Sequence, residues 1–433
     1  MGINHATLPT PTTRGVALPS WLTPVRIEQL AARLTAAADA ERVTTNAPYT
    51  GAPLADLLVS TPTDVEDAFA RARIAQKSWA SISLSQRKKI LLRFHDLVLA
   101  RQDEVLDLMQ AENGKTRRDA FLEVTDIAIT SRYYARNAAK YLEPKRRRGA
   151  IPVLTHTTEL RHPKGVVAVV SPWNYPLSMA AGDAIPALIA GNAVVQKPDT
   201  QTALSALWAL DLMHEAGLPA GVWQMVVGRG SSIGGTLMDN ADFMMFTGST
   251  ASGRKIASDA GQRLIGASLE LGGKNAMIVL DDADIDKAAD GAIAACFPSA
   301  GQLCVSIERL YVAESIRDQF VAAFVARAKQ LKIGAAFAET PQPHRAPRIE
   351  AATPAFRVNH GLPPAGDRTG PRRPRCPLAS GPYRHAEVVS RAAVSATAKD
   401  QAPLAFHTVL DHIRTFIPIT RIPSKSTCRP VDP

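Results

Sequence analysis

The sequence predicts an α/β fold: a parallel sheet with helices on both faces, followed by a second α/β series that breaks off. Three observations carry this. Four short apolar runs, VVAVVS (Val166–Ser171), AVVQK (Ala193–Lys197), QMVV (Gln224–Val227) and FMMF (Phe243–Phe246), are separated by helical patterns. Strands that alternate with helices make βαβ units, and a parallel strand buried on both faces reads as an unbroken apolar run. A second series then runs through NAMIVL (Asn275–Leu280), the helix DIDKAADGAIAACF, the strand RLYVA and the helix SIRDQFVAAFVARAKQL, and its periodicity fades after about Ala338.

Taken in order, residues 1–45 are weakly patterned. From Asp64 to about Leu142 the chain reads helical, with Val65, Phe69, Ala72 and Ala75 at three- and four-residue spacing. The stretch from Ser85 reads as one continuing helical run that stops at Asn113-Gly114, a helix-end signal. The charge run Lys145–Gly149 reads as a solvated turn beside an edge strand. TALSALWALDLMHEAGLP is the clearest helix between the strands, ended by Gly217 and Pro219.

Composition excludes several classes. Apolar residues make up 46% and charged residues 21%, as in an ordinary globular protein. The four cysteines, Cys296, Cys304, Cys376 and Cys428, form no C-x-x-C pair, so neither a metal site nor a disulfide framework is expected, and reduced thiols suit a cytoplasmic location. No apolar run reaches membrane-spanning length, and the first residues lack the apolar centre of a signal peptide, so no membrane association is expected. The net charge of +10 is uneven: residues 335–433 carry 14 Lys and Arg against 7 Asp and Glu, leaving residues 1–334 nearly neutral. The aromatic residues of that basic tail follow no pattern, so nucleic acid is not an expected partner.

Five short strings carry chemistry. In SPWNYP, Trp173 and Asn174 follow the first strand, where open parallel sheets bind ligands; the Asn174 amide suits an oxyanion, and a Pro-rich turn with a packing Trp is the plain alternative. Lys197, in QKPDTQT, stands at the end of the second strand, where it would meet a ribose or phosphate or else be simply solvated. In FTGSTASG, Gly248 turns the chain and Ser249 precedes a helix near Ala251, which suits a phosphate on free N–H groups or an ordinary capped turn. In LELGGKN, Glu270 sits in an apolar, Gly-rich setting, as a general base with a raised pKa or as a carboxylate held at a strand end. Cys304, in SAGQLCVSIER, is a nucleophile or a plain thiol, and Cys296 reads as core.

In this order and at these intervals, SPWNYP, KPDTQT, FTGSTASG, LELGGKN and GQLC resemble the aldehyde dehydrogenase superfamily over roughly residues 45–338, and the separation of 34 positions from Glu270 to Cys304 is similar to that family's. Within it the chain looks most like the NADP-dependent succinate-semialdehyde dehydrogenases. The resemblance implies a Rossmann-like NAD(P)-binding domain over 46–270, with an oligomerisation hairpin near 143–163. It also implies a partial catalytic domain over 271–338, with an N-terminal segment (1–45) before them and a Pro/Arg-rich tail (339–433) after. It implies Cys304 as nucleophile, Asn174 with the Cys304 N–H as oxyanion donors, and Glu270 as the base that activates water. The cofactor would lie along Trp173 and Asn174, with Lys197, Pro198, Asp199 and Thr200 at the adenosine ribose, Gly248 and Ser249 at the pyrophosphate, and Leu271 by the nicotinamide. In NAD-preferring relatives the position of Thr200 is often Glu, whose carboxylate would repel a 2′-phosphate, so the neutral Thr200 implies NADP. The implied reaction oxidises a small aldehyde, succinate semialdehyde, to its acid in a homo-oligomer.

The same resemblance places an E-x-x-F-G-P motif about a hundred residues beyond the nucleophile, along with further strands, one of which pairs subunits. The tail holds none of these; it has 15 of the 31 prolines and 12 Arg against 2 Lys. Such a composition is expected of an out-of-frame reading and of a disordered tail that supports no central strand or helix, and the missing motifs leave a catalytically inactive relic that retains only cofactor binding as the alternative to a working enzyme.

Overall fold

The computed structural model describes residues 18–48, 50–151, 154–331 and 383–386. Helix α1 (Pro24–Ala31) and the antiparallel strands β1 (Arg42–Asn46) and β2 (Pro53–Leu58) come first. The weakly patterned N-terminal segment therefore contains a helix, and residue 45 falls inside β1. Leu22, Ile27 and Leu30 enter the main core, although so few apolar residues make too short a pattern to read from sequence.

Four helices follow: α2 (Pro62–Ser81), α3 (Leu84–Ala100), α4 (Gln102–Asn113) and α5 (Arg117–Leu142). Local chemistry sets their ends. The Thr61 hydroxyl accepts from Asp64 N at 3.2 Å while the Asp64 carboxylate accepts from Thr61 N at 2.7 Å, and Ser83 and Gln86 repeat this box at the start of α3. Gly114, at φ 73°, ends α4 in the left-handed region. The run read as one helix from Ser85 is in fact two, because Arg101 leaves helical geometry between α3 and α4.

Strands β3 (Lys145–Arg147) and β4 (Thr157–Glu159) form an antiparallel hairpin. The Lys145–Gly149 charge run, expected to be a turn, thus begins with an exposed strand, tied across by Arg147 Nε donating to Glu159 at 2.7 Å.

The principal sheet is built from β5 (Val166–Val170), α6 (Pro176–Ile189), β6 (Ala193–Lys197), α7 (Ala203–Glu215), β7 (Trp223–Met225), α8 (Gly230–Asn240), β8 (Phe243–Gly248), α9 (Thr250–Gln262) and β9 (Gly266–Leu271). Its order is β7-β6-β5-β8-β9, and every pairing is parallel. Alternate residues of the central strand serve two cores. Val167 and Val169 join Trp208, Leu188 and Phe94 on one face, and Val166 and Ala168 join Phe69, Ile233 and Leu237 on the other. A strand whose side chains alternate must be apolar throughout when both faces are covered.

The second unit comprises β10 (Asn275–Val279), α10 (Ile285–Cys296), β11 (Ile307–Ala313), α11 (Arg317–Ala328) and β12 (Tyr383–Ala386). Strands β10 and β11 are parallel, and β12 lies antiparallel on the far side of β11. Of the tail, Tyr383–Ala386 form this edge strand, and the rest, on which the expectation of disorder falls, lies outside the described residues. Among the described residues no helix is long and apolar enough to cross a membrane.

Candidate active site

The connectivity of the principal sheet decides where the sequence motifs meet. The chain leaves β5 through α6 to β6 on one side, whereas β8 lies on the other side of β5, so the strand order reverses between β5 and β8. Loops that leave the carboxyl ends of neighbouring parallel strands on either side of such a reversal open a crevice. Because all five strands are parallel, the segments after β5 (Trp173, Asn174), β6 (Pro198, Asp199, Thr200) and β8 (Ser249), together with Leu271 at the end of β9, share one edge of the sheet.

Lys197 is half-buried at the end of β6. Burial pushes its ammonium below the ordinary lysine value, with Asp199 opposing, and its Nζ donates to Pro198 O at 3.4 Å. Asp199 caps the single 3-10 turn Thr200–Thr202 by accepting from Gln201 N at 2.9 Å, so Thr200 is the first residue of that turn. Gly248 closes β8, and Ser249, exposed, caps α9 by accepting from Ser252 N at 3.2 Å. Leu271 packs over the first turn of α9 so closely that a Cβ on Gly253 would lie 2.4 Å from its Cδ2. Glycine at 253 is therefore what lets β9 approach the helix that Ser249 begins.

Asn174 and the cysteine loop come from different sheets and meet directly. Asn174 Nδ2 donates to Gln302 O at 2.9 Å, two residues before Cys304. Cys304 is exposed, and its carbonyl accepts from Asn275 Nδ2 at 2.6 Å, which ties the loop to the start of β10. Ser299 and Ala300 hold φ of 49° and 58°, an uncommon backbone for non-glycine residues. Tyr175 lies 3.0 Å through its hydroxyl from Ser299 Oγ; burial first, then the charges of Asp119, Glu123 and Cys304, push its pKa up to about 12 against the lowering effect of that hydrogen bond, so it stays a neutral phenol. Cys296, in contrast, packs at the end of α10, and burial pushes its thiol up to about 11, in keeping with a core residue.

Glu270 differs from expectation. It lies on β9 but is exposed, so the described residues do not supply the apolar surroundings read from LELGGKN. Its charged neighbour is Asp183 on α6, whose carboxyl is pushed up to about 7 by burial first and then by the charges of Glu270 and Asp126. Asn174 is thus bonded to the loop that carries Cys304, and the charge of Glu270 acts on Asp183; among the described residues no hydrogen bond joins Glu270 to Cys304. Among the described residues no cluster of His, Cys, Asp or Glu is arranged to hold a metal ion.

Sequence reasoning missed the residues beneath this edge. Lys115, just after α4, and Glu123, on α5, form a buried ion pair. Burial pushes the Lys115 ammonium down and the Glu123 carboxyl up, each opposed by the partner's charge. Glu112 is also buried and accepts from Leu204 N at 2.6 Å and Ser205 N at 2.9 Å at the start of α7; burial pushes it up to about 8. Carboxylates inside a helical run signal a solvated face on sequence grounds, and only their pairing with helix N-termini marks them as caps.

A five-stranded parallel sheet whose strand order reverses, covered by helices on both faces, defines a doubly wound α/β protein. The model of the aldehyde dehydrogenase family matches residues 35–352, and the chain belongs to that family. It is 48% identical over 289 residues to a protein of Mycolicibacterium smegmatis named a "putative succinate-semialdehyde dehydrogenase" for NADP(+), covering 67% of this chain and 56% of that one. Among solved structures, an aldehyde dehydrogenase from Brucella melitensis biovar abortus 2308 is similar at 34% identity and TM-score 0.67, over 73% of this chain and 65% of that one. An NADP-dependent glyceraldehyde-3-phosphate dehydrogenase from Bacillus halodurans C-125, complexed with NADP, is similar at 35% identity and TM-score 0.65, over 69% and 64%. The chain thus spans less than two thirds of the length of the first of these, its curated relative.

Proposed function

We propose that this chain oxidises a small aldehyde, succinate semialdehyde, to the carboxylic acid with NADP. The observation that supports the reading is the Asn174 amide bonded to the Gln302 carbonyl, two residues before the exposed Cys304 thiol. The residues present fit a nicotinamide dinucleotide. Lys197 and Thr200 would border the adenosine ribose, Ser249 would face the pyrophosphate at the exposed first turn of α9, and the neutral Thr200 would tolerate a 2′-phosphate that a carboxylate would repel. When bound, the nicotinamide supplies an acceptor for the hydride that leaves the substrate carbon.

This chain's residues do the rest. The Cys304 sulfur bonds to the aldehyde carbon, and the carbonyl oxygen becomes an oxyanion. One Asn174 N–H is engaged by Gln302, and the other, with the Cys304 backbone N–H, donates to that oxyanion. After oxidation a thioester links the acyl group to Cys304. Glu270 takes a proton from water as the water oxygen attacks the thioester, which releases the acid and the thiolate. A reduced thiol is needed at every turnover, which suits the cytoplasm. The exposed Ile151, Leu154 and Leu160 around the β3–β4 hairpin are proposed to be covered by another copy in the family's homo-oligomer.

The test is NADP(+) reduction by the purified chain with succinate semialdehyde, beside Cys304→Ala. Loss of activity by about 10³-fold or more in the variant supports the reading, and turnover that survives it overturns the mechanism. A second reading, a relic that binds cofactor without turnover, is favoured by the exposure of Glu270. A wild-type chain that binds NADP and yields no reduction would decide for it.

A further inference from the structure

The segment from Asn113 to Glu123 grips the Asn174 loop repeatedly. Asn113 Nδ2 donates to Trp173 O at 3.4 Å, and Lys115 Nζ donates to Asn174 O at 2.7 Å. Glu123 accepts from Leu177 N at 2.9 Å and Ser178 N at 3.0 Å, the first turn of α6. The same segment holds the cysteine loop. Asp119 accepts from Ser299 N at 3.0 Å, and Lys115 Nζ lies 3.5 Å over the centre of the Tyr175 ring, whose hydroxyl reaches Ser299 Oγ.

We propose that Lys115 and Glu123 are a positioning pair that aims the Asn174 amide at the oxyanion formed on Cys304, an inference that rests on the function proposed above. The two side chains are only 2% and 0% exposed. A buried ion pair is a poor source of stability compared with apolar side chains of the same volume. What it supplies is direction. The Lys115 ammonium is committed on three sides, to the Glu123 carboxylate, to the Asn174 carbonyl and to the face of Tyr175. Fixing the Asn174 carbonyl fixes its peptide plane. Glu123 fixes the chain three residues on, and between them the direction of the Asn174 side chain is set. An apolar pair would fill the space and leave that plane free to turn.

Two reactions of the same sulfur separate positioning from general support. Acylation by p-nitrophenyl acetate forms an S–C bond at a carbonyl, passes through an oxyanion and expels p-nitrophenolate. Alkylation by iodoacetamide forms an S–C bond at a saturated carbon and expels iodide, with no oxyanion. The variant Lys115→Met/Glu123→Gln removes one charge of each sign and leaves no unpaired ion. The acylation burst is expected to slow by about 10–100-fold while alkylation of Cys304 changes by less than about threefold. In an Asn174→Ala background the pair's replacement should add less than about twofold, because its effect runs through that amide.

Equal losses in both reactions, no loss in either, or an undiminished further loss on Asn174→Ala would overturn the proposal. Should the double variant not fold, Lys115→Arg keeps the charge but replaces the compact ammonium by a planar fork, and the same selective loss is expected of it. An acylation burst that survives Cys304→Ala would remove the parent reading as well, and so distinguishes the two failures.

Discussion

In β5 every residue from Val166 to Val169 is buried, whereas in β10 Ala276 and Ile278 face outward and Ile278 is 66% exposed. Both strands are parallel and apolar. The difference is what covers them. Helices lie on both faces of the principal sheet, while among the described residues α10 and α11 bring Ala289, Ala292, Phe320 and Phe324 against Val279, Leu310 and Val312, with Met277 and Ile307 partly buried beside them. Among the described residues, apolar strands of the same type thus belong to two units covered to different extents, and the proposed chemistry needs both, since Asn174 comes from the first and Cys304 from the second. The lesson is that cofactor binding and thiol chemistry should separate when the chain is stressed.

The largest effect expected is on the second unit. Phe320 is fully buried in its small core, and Phe320→Ala should cost about 3–5 kcal/mol, enough to open that unit. Hydrogen exchange should show β10, α10 and β11 unprotected while β5 and β6 stay protected, and NADP should still bind although ester acylation at Cys304 is lost. If protection falls equally in both units, they are one cooperative body and the contrast is wrong.

Next in size is a pH dependence confined to the first unit. Glu112 rises from an ordinary 4.5 to about 8 on burial, so the native state holds its proton more tightly than the unfolded chain does. The stability linked to this group is fully present below its unfolded pKa of 4.5 and is lost as pH climbs to about 8, at up to ~1.4 kcal/mol per pH unit. Melting followed on Trp208, at the packed heart of the first unit, should therefore fall across that window, and Glu112→Gln should flatten the slope. An unchanged slope would show that Glu112 is not the group responsible.

Cofactor choice should respond within the first unit alone. Thr200→Glu should move the ratio of NADP to NAD affinity about tenfold toward NAD, roughly 1.4 kcal/mol, by setting a carboxylate where a 2′-phosphate would sit. Titration that leaves the ratio unmoved would mean that Thr200 does not border the ribose. The smallest effect is Thr61→Ala, which deletes the side-chain cap of α2 and should cost about 1 kcal/mol. Exchange should quicken in the first unit and stay unchanged in β10 and β11.

The sequence was most legible where local chemistry decides structure. AVVQK is β6 residue for residue, VVAVVS contains β5, and Gly114 ends its helix as a glycine in that context should. Legibility failed where a pattern was too short or a partner too distant. Helix α1 offers two buried residues, Ile27 and Leu30, and β12 lies 70 residues beyond the β11 strand it pairs with. Lys145–Arg147 looked like a turn because three consecutive charges carry no period of two.

By itself, the sequence determined the alternation of strands and helices, and it set out the ordered motifs whose chain positions name Asn174, Lys197, Thr200, Ser249, Glu270 and Cys304. Tertiary structure alone decided which of them meet. The strand order β7-β6-β5-β8-β9 brings the ends of β5, β6, β8 and β9 to one edge, and no local pattern encodes a strand order. It joined Asn174 to Gln302 across 128 residues, left Glu270 exposed beside a half-buried Asp183, and buried Lys115 and Glu123 under the Asn174 loop. The physical reason is that burial and pairing are properties of what packs against a residue. A carboxylate on a helix reads the same in sequence whether it meets water or the N–H groups of another helix.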